Sequence, residues 1–334
     1  MQKIDLVYMW VDGNDKKWQR EKEKYLAGER GKTNLPPDAT VDARWRDNDE
    51  LKYALRSVEK YVPWINHIYI ITGFNQVPKW LNTKHPKITI IPHQDIMPNY
   101  AMPTFCSDNI EMCIGNISNL AEHFLLSNDD MFFARPLAPS FFFDSRGRAI
   151  FRYHKSHKFI QCIGFALEKQ TDYRQRLTIA QQKIYKTFNK KLFTYLPSHG
   201  IDPYIKSTVI NCRNHPLIKR DIDLQLFDKF RHGNQIQRII FNLYDKIHGT
   251  AKFIRTRNYK QTKCKLWNKI YNAIHCRCIK NSPCYCTDAD KANLYKRTPP
   301  IVCINDTAIT TDEMRENNRK WLEWKFPTKS SFEK

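Results

Sequence analysis

The sequence predicts an α/β protein, a mainly parallel Rossmann-like sheet joined to a basic, mostly helical second part. Three observations predict it. Apolar, strand-like runs alternate with amphipathic helical patterns through the first half, the order of elements that builds a parallel sheet. Several of these runs end in polar loops rich in Gly, Asn and Asp, where α/β sheets bind ligands. Charge is also divided. Residues 1–150 carry 19 basic and 19 acidic side chains and residues 301–334 carry 6 of each, whereas residues 151–300 carry 30 basic and 9 acidic, the whole of the net +21.

Residues 4–11 are mostly apolar, strand-type residues that stop at the turn Asp12-Gly13-Asn14-Asp15. Residues 16–30 are charged and helical, and 31–46, with Pro36-Pro37, form a loop. Leu51, Ala54, Leu55, Val58 and Val62 recur at helical spacing, so 49–64 is a helix, with Asp47, Asn48 and Asp49 as N-cap candidates. Strands follow at 67–72 and 87–92, separated by Gly73 and a short helix at 77–81. Asp108 caps an amphipathic helix with Ile110, Cys113, Ile114, Ile117, Leu120 and Ala121 on one face. It leads into the strand Phe124-Leu125-Leu126, the acidic step Asn128-Asp129-Asp130 and a second apolar run, Met131-Phe132-Phe133. Beyond 150 the pattern is less regular. A helix is expected over 234–248, closed by Gly249, and residues 250–300 resemble an insertion. A strand at 301–304 precedes Asn305-Asp306. The capping box Thr310-Thr311-Asp312-Glu313 opens a last helix that Pro327 stops, with Trp321, Leu322 and Trp324 packing back on the core.

A chain of 334 residues, 41% hydrophobic and 13% aromatic, can bury a large core and is not a disordered polyelectrolyte. No apolar run approaches the roughly 20 residues that span a bilayer. The N-terminus shows no small-residue cleavage site, so a cytoplasmic protein is expected. The basic segment suits nucleic acid, anionic lipid or a polyanionic substrate. Six of the ten cysteines are scattered and read as reduced, small hydrophobes. Cys276, Cys278, Cys284 and Cys286 cluster, and two readings stand for them: a structural zinc site, or a reduced loop, since Cys-x-Cys is tighter than the usual zinc spacing.

Four stretches carry candidate chemistry. Asp129 and Asp130 are adjacent acids between two buried runs, which costs free energy unless a cation or strong donors compensate. They are read either as a divalent-metal site for a diphosphate or as a solvated turn. Arg44-Trp45-Arg46 precedes a helix N-terminus, where arginines can grip phosphate or merely flank a cap. His199, in Ser198-His199-Gly200-Ile201-Asp202, can serve as a general base or a structural histidine. Arg231, in Phe230-Arg231-His232-Gly233-Asn234, can neutralise a migrating phosphoryl group or cap the next helix.

These residues resemble a family. Ile4-Asp-Leu-Val-Tyr-Met-Trp-Val-Asp-Gly-Asn-Asp15 looks like the opening block of the Stealth family. The likeness continues from Arg44-Trp-Arg-Asp-Asn-Asp-Glu-Leu51 through Pro103-Thr-Phe-Cys-Ser-Asp-Asn-Ile-Glu111 to Leu126-Ser-Asn-Asp-Asp-Met-Phe132. Shorter blocks follow at Ser198-His-Gly200, Phe230-Arg-His-Gly-Asn-Gln-Ile-Gln237 and Cys303-Ile-Asn-Asp-Thr307. The resemblance implies a fold similar to the type A glycosyltransferase core and an enzyme that transfers sugar-1-phosphate. The donor would be a UDP-sugar and the acceptor a hydroxyl of a capsular or exopolysaccharide, with UMP released and Mg2+ or Mn2+ as cofactor.

It further implies that Trp10, Asp12, Gly13, Arg46, Asn109, Asn128 and Asn305 bind the donor, that Asp129, Asp130 and Asp306 lie at the metal, and that His199, Arg231 and Asp130 are catalytic. The expected division is a nucleotide-sugar and metal-binding core at 1–150, a basic acceptor-facing part at 151–300 and a C-terminal strand and helix at 301–334. The basic part suits a polyanionic acceptor or peripheral contact with the anionic inner face of a bacterial membrane. Two rivals stand beside this reading. One is a metal-dependent glycosyltransferase that releases UDP. The other is a zinc-containing nucleic-acid-binding protein, which leaves the Asn-Asp-Asp step unexplained.

Overall fold

The computed structural model describes residues 2–29, 35–36, 39–155, 172–190, 195–198, 200–256, 277–280, 300–306 and 310–334. The strands are β1 (Ile4–Trp10), β2 (Ile68–Thr72), β3 (Ile88–Pro92), β4 (His123–Asn128), β5 (Met131–Phe133), β6 (Ala149–Lys155), β7 (Tyr195–Pro197), β8 (Asp202–Ile205), β9 (Ala251–Thr256), β10 (Arg277–Lys280) and β11 (Ile301–Asn305). The helices are α1 (Lys16–Glu29), α2 (Glu50–Tyr61), α3 (His93–Ile96), α4 (Ser107–Glu111), α5 (Asp172–Phe188), α6 (Lys206–Asn214), α7 (Pro216–Gln225), α8 (Ile239–His248) and α9 (Asp312–Lys325).

The four apolar runs of the first half form the central sheet. Its order is β3-β2-β1-β4-β8; the first four strands are parallel and β8 is antiparallel to β4. β1 is buried on both faces: Leu6 and Tyr8 pack into one core, Val7 and Met9 into the other. That is why it reads as a continuous apolar run rather than an alternating one. The chain winds outward from β1 to β3, then returns to place β4 on the other side of β1. The strand order therefore reverses between β1 and β4, and the crevice at their carboxyl ends is where such sheets bind ligands.

Two smaller sheets complete the fold. β5 pairs antiparallel with β11, which pairs in parallel with β10, and β6 lies between β7 and β9. Residues 301–305 are thereby fixed beside the Asn-Asp-Asp step, and the Ile304 N–H donates to the Asp130 carbonyl at 2.9 Å.

Several expectations change. The helix expected across 108–121 ends at Glu111 and is followed by a 3-10 turn at Ile114–Asn116. Helix α6 crosses so closely there that a Cβ on Gly115 would lie 3.1 Å from Ile210. Residues 77–81 make a turn closed by Leu81 N–H on the Pro78 carbonyl, and not a helix. Helix α8 starts at Ile239 rather than 234, but Gly249 closes it with φ +75° as expected. Asp49 stands at the N-cap of α2 without a side-chain capping bond, and Thr311 caps α9. Leu322 is buried, whereas Trp324 is 54% exposed and does not pack back. Of the scattered cysteines, Cys106, Cys113, Cys212 and Cys303 are buried thiols, and Cys162 and Cys264 lie outside the described residues. The zinc candidates Cys276, Cys284 and Cys286 lie outside the described residues, and Cys278 is placed only by its backbone in β10. Among the described residues no helix is long and apolar enough to cross a membrane.

The C-terminus is clamped to α2. Arg56 makes two 2.8 Å hydrogen bonds to the Glu333 carboxylate and a third, of 2.9 Å, to the Phe326 carbonyl. Both side chains are largely buried, so removing one strands the other. Arg56→Ala should cost about 2 kcal/mol in urea unfolding. A loss under about 0.5 kcal/mol, the scale of an ordinary surface substitution, would show that the clamp adds nothing.

Candidate active site

The site is built where the carboxyl ends of β1 and β4 meet. Trp10 is the last residue of β1, in register with Thr72, and Asn128 is the last of β4, in register with Met9. Beyond β1 the chain is fixed by the Gln76 amide, which accepts from the Asp12 N–H and donates to the Asp12 carbonyl, both at 3.0 Å. Gly13 then lies against the loop that carries Arg46. Its N–H donates to the Trp45 carbonyl at 2.8 Å, and a Cβ there would fall 2.2 Å from that oxygen. No side chain fits, which is the physical reason for glycine at this turn.

Asp129 and Asp130 connect β4 to β5. The Cys303 thiol donates to Asp130 Oδ2 at 3.3 Å. Asp129 is held well above the usual carboxylate range, first by burial and then by the negative charges of Asp130, Glu50 and Asp47. Glu50 opens α2; burial pushes it up to about 7, against the bonds it accepts from the Asn48 amide and backbone N–H. Asp47 is pushed up to about 6, again first by burial, with Asp49 and Asp12 adding repulsion. Five acids, Asp12, Asp47, Glu50, Asp129 and Asp130, thus crowd one crevice.

Asn305 ends β11, opposite Lys280. Asp306 follows and ion-pairs with Arg46 at 2.7 Å, with Arg315 of α9 at 3.7 Å. The structure therefore brings Arg46 and Asp306 together across 260 residues.

A second polar cluster surrounds α4. Asn109 is fully buried; its amide donates to the Asp228 carbonyl at 2.7 Å, and its own oxygen has no partner. Arg231 bonds to Ser107 and lies 3.4 Å from Asp108 Oδ2. Arg238 joins Glu111 at 2.8 Å and Asp202 at 3.2 Å. Asp202 is pushed up to about 6, first by burial, with Arg238 opposing. His199 lies outside the described residues. Its neighbours Ser198 and Gly200 line a cavity with Asp202, Tyr204, Arg238 and Asn242.

An aromatic cluster holds these loops together. Trp18, Trp45, Phe105 and Phe230 are buried against one another, with centroids 5.5 Å apart for Trp18–Trp45 and 5.1 Å for Phe105–Phe230. Trp45 precedes Arg46, Phe105 precedes the Ser107–Asn109 turn, and Phe230 precedes Arg231.

Sequence reasoning treated Asp47 and Asp108 as helix caps, Glu50 as part of a polar run, and passed over Arg176, Arg238 and Arg315. The signal for Asp47 and Glu50 was their place beside Trp45, whose burial draws the loop inward. Nothing local marks Arg176 and Arg238, because their partners are distant in sequence.

Magnesium and manganese take only one or two carboxylates, with phosphate oxygens and waters filling the remaining positions. Asp129 and Asp130 fit that demand, and the crowded negative charge around them calls for a cation. Among the described residues no three His, Cys, Asp or Glu side chains converge as a closed protein cage.

Comparison with known proteins gives three results. The profiles of Stealth protein conserved regions 1 and 2 match residues 2–30 and 44–151. A capsular polysaccharide phosphotransferase of Haemophilus influenzae is 30% identical over 94% of this chain and 81% of its own, and one of Streptococcus pneumoniae is 29% identical over 99% of each. A solved galactosyltransferase in complex with donor and acceptor sugar analogues aligns over 98% of each chain at 12% identity with a TM-score of 0.44, too slight a likeness to carry weight.

Two outcomes follow. Gly13→Ala should destabilise the fold by about 1–3 kcal/mol as the Trp45 loop is displaced, and activity should fall with it; an unchanged melting temperature would mean that the loop moves freely. Asp47, Glu50 and Asp129 also keep protons in the folded chain that the unfolded chain loses near pH 4. Stability should therefore fall as pH rises from about 4 through about 7. Melting in EDTA across that range checks this, and a rising curve would contradict the burial of these acids.

Proposed function

The chain belongs to the Stealth family, and from that premise we propose that it is a capsular or exopolysaccharide phosphotransferase that moves a hexose-1-phosphate from a UDP-sugar to a polysaccharide hydroxyl. The sugar proposed is an N-acetylhexosamine. The observation that carries the reading is the crowding of acids around Asp129 at the β1–β4 crevice, next to the arginine pair on Asp306. A diphosphate carried by a divalent cation satisfies both groups of charges at once.

The bonds balance as follows. The acceptor oxygen attacks the β-phosphorus, the bond from that phosphorus to the α–β bridging oxygen breaks, and UMP leaves with that oxygen. The acceptor proton goes to a base, for which His199 is the candidate. UMP leaves as an anion and needs no proton.

Asp129 and Asp130 would hold Mg2+ or Mn2+, which supplies charge neutralisation for the diphosphate when bound. Trp10, Asp12 and Gly13 form the floor of the donor crevice, and Asn128 and Asn305 flank it. Arg46, held on Asp306, would grip the donor phosphates. Asp306 itself is engaged by two arginines, which suits it to orienting them. Asn109 contributes a buried amide oxygen that lacks a partner. Arg231 neutralises the equatorial phosphoryl oxygens in the transition state. The basic surplus of residues 151–300 suits a phosphate-containing acceptor chain or an anionic membrane surface.

The direct test is a panel of UDP-sugars with Mg2+ or Mn2+, with chromatography of the spent nucleotide. UMP is expected; UDP alone would make the enzyme a glycosyltransferase. Asp130→Ala and His199→Ala should each reduce turnover at least about 100-fold with the melting temperature kept. Near-wild-type turnover in either would remove that residue from the mechanism. Acceptor KM should rise steeply with ionic strength, and a flat response would count against electrostatic capture by the basic part.

A further inference from the structure

The largest fully buried side chain among the described residues is an arginine. Arg176, in the first turns of α5, is 1% exposed. It lies outside both matched family regions, in a stretch with no recognisable motif. Its Nε is 3.0 Å from Asp108 Oδ2, and Nη1 is buried without a hydrogen-bond partner. Burying a guanidinium is costly, and an incompletely bonded one more so. A purely structural role is a poor reason for it, because an apolar side chain would fill the space at less cost.

The geometry around Asp108 suggests another reason. Arg231 approaches the same oxygen, Oδ2, at 3.4 Å. One carboxylate oxygen thus faces two guanidinium groups. The third arginine nearby, Arg238, pairs with Glu111 and Asp202. If Arg176 were absent, Asp108 would be free to turn on Arg231 and draw it out of line. With Arg176 present, Asp108 is held in place, and Arg231 keeps a fixed direction, set also by Ser107.

We propose that Arg176 is a positioning residue for phosphoryl transfer, acting through Asp108 to keep Arg231 aimed. It does not touch substrate itself, being fully buried. The assignment rests on the phosphotransfer reading given above.

A double-mutant cycle tests it. Arg176→Met, Arg231→Lys and the double variant are compared in the full chain by UMP release from the best UDP-sugar of the panel, with melting temperatures measured alongside. Arg176→Met should lower kcat about 10- to 100-fold and raise donor KM less than about threefold, while Arg176→Lys, which keeps the charge, should recover much of the loss. In the Arg231→Lys background, Arg176→Met should change kcat by less than about twofold. Equal losses in both backgrounds, or a wild-type kcat, would overturn the proposal. If Arg176→Met does not fold, Arg176→Gln, which removes the charge but keeps a hydrogen-bond donor, carries the same cycle.

Titration with magnesium pyrophosphate gives a readout without turnover. Arg176→Met, or Arg176→Gln in its place, should weaken binding up to about threefold and only when Arg231 is present, and equal weakening in both backgrounds would also overturn the proposal. Absence of UMP release by the wild type would instead sink the phosphotransfer reading and leave the pyrophosphate cycle to decide on Arg176.

Discussion

The aromatic cluster of Trp18, Trp45, Phe105 and Phe230 is the constraint on which the site depends. Trp18 comes from helix α1, whereas Trp45, Phe105 and Phe230 each belong to a different polar stretch that alone is a loop or a short helix and could point elsewhere. Stacking Phe105 on Phe230 and tilting Trp18 against Trp45 buries large rings and adds about 1 kcal/mol per pair beyond the area removed from water. The backbone then completes what the rings begin. The Phe105 N–H donates to the Lys229 carbonyl at 2.8 Å, and Gly13 sits on the Trp45 carbonyl. Arg46, Asp108, Asn109 and Arg231 are placed as a consequence of apolar packing, with little local secondary structure to hold them.

The charges are arranged in two opposed sets. Acids gather at the strand ends around Asp129, where burial first and then mutual repulsion raise their proton affinity. Arginines gather around α4 and on Asp306, each sharing an acid with another arginine or dividing itself between two acids. Neither set is comfortable alone, and a metal-carried diphosphate is the kind of group that relieves both. Strain of this electrostatic sort belongs with sites whose groups must change partners when substrate arrives.

Much of the first half was legible because its strands are buried on both faces and its helices have a clear apolar stripe. Leu6, Val7 and Tyr8 needed no structural information to be read as strand, and Gly249 correctly ended α8. The failures have local causes. Pro78 promoted a turn where a short helix was expected. Gly115 and Asn116 broke the helix after Asp108 because α6 packs there too tightly for a side chain. β8 contains Pro203, which argues against a strand, yet it lies at the edge of the sheet where a missing N–H is tolerated. The site was legible in part. Asn128-Asp129-Asp130 and Arg46 stand out by composition and family resemblance, whereas Arg176 and Arg315 find their roles only through partners some 70 and 9 residues away.

The central claim is that a phosphorus–oxygen bond, rather than a carbon–oxygen bond, breaks in the crevice between β1 and β4. The most direct measurement uses a UDP-sugar carrying 18O in the bridge between the sugar C1 and the β-phosphorus, with mass spectrometry of both products. The label should stay with the transferred sugar phosphate, and the nucleotide released should be unlabelled UMP. Label recovered in UDP would contradict it.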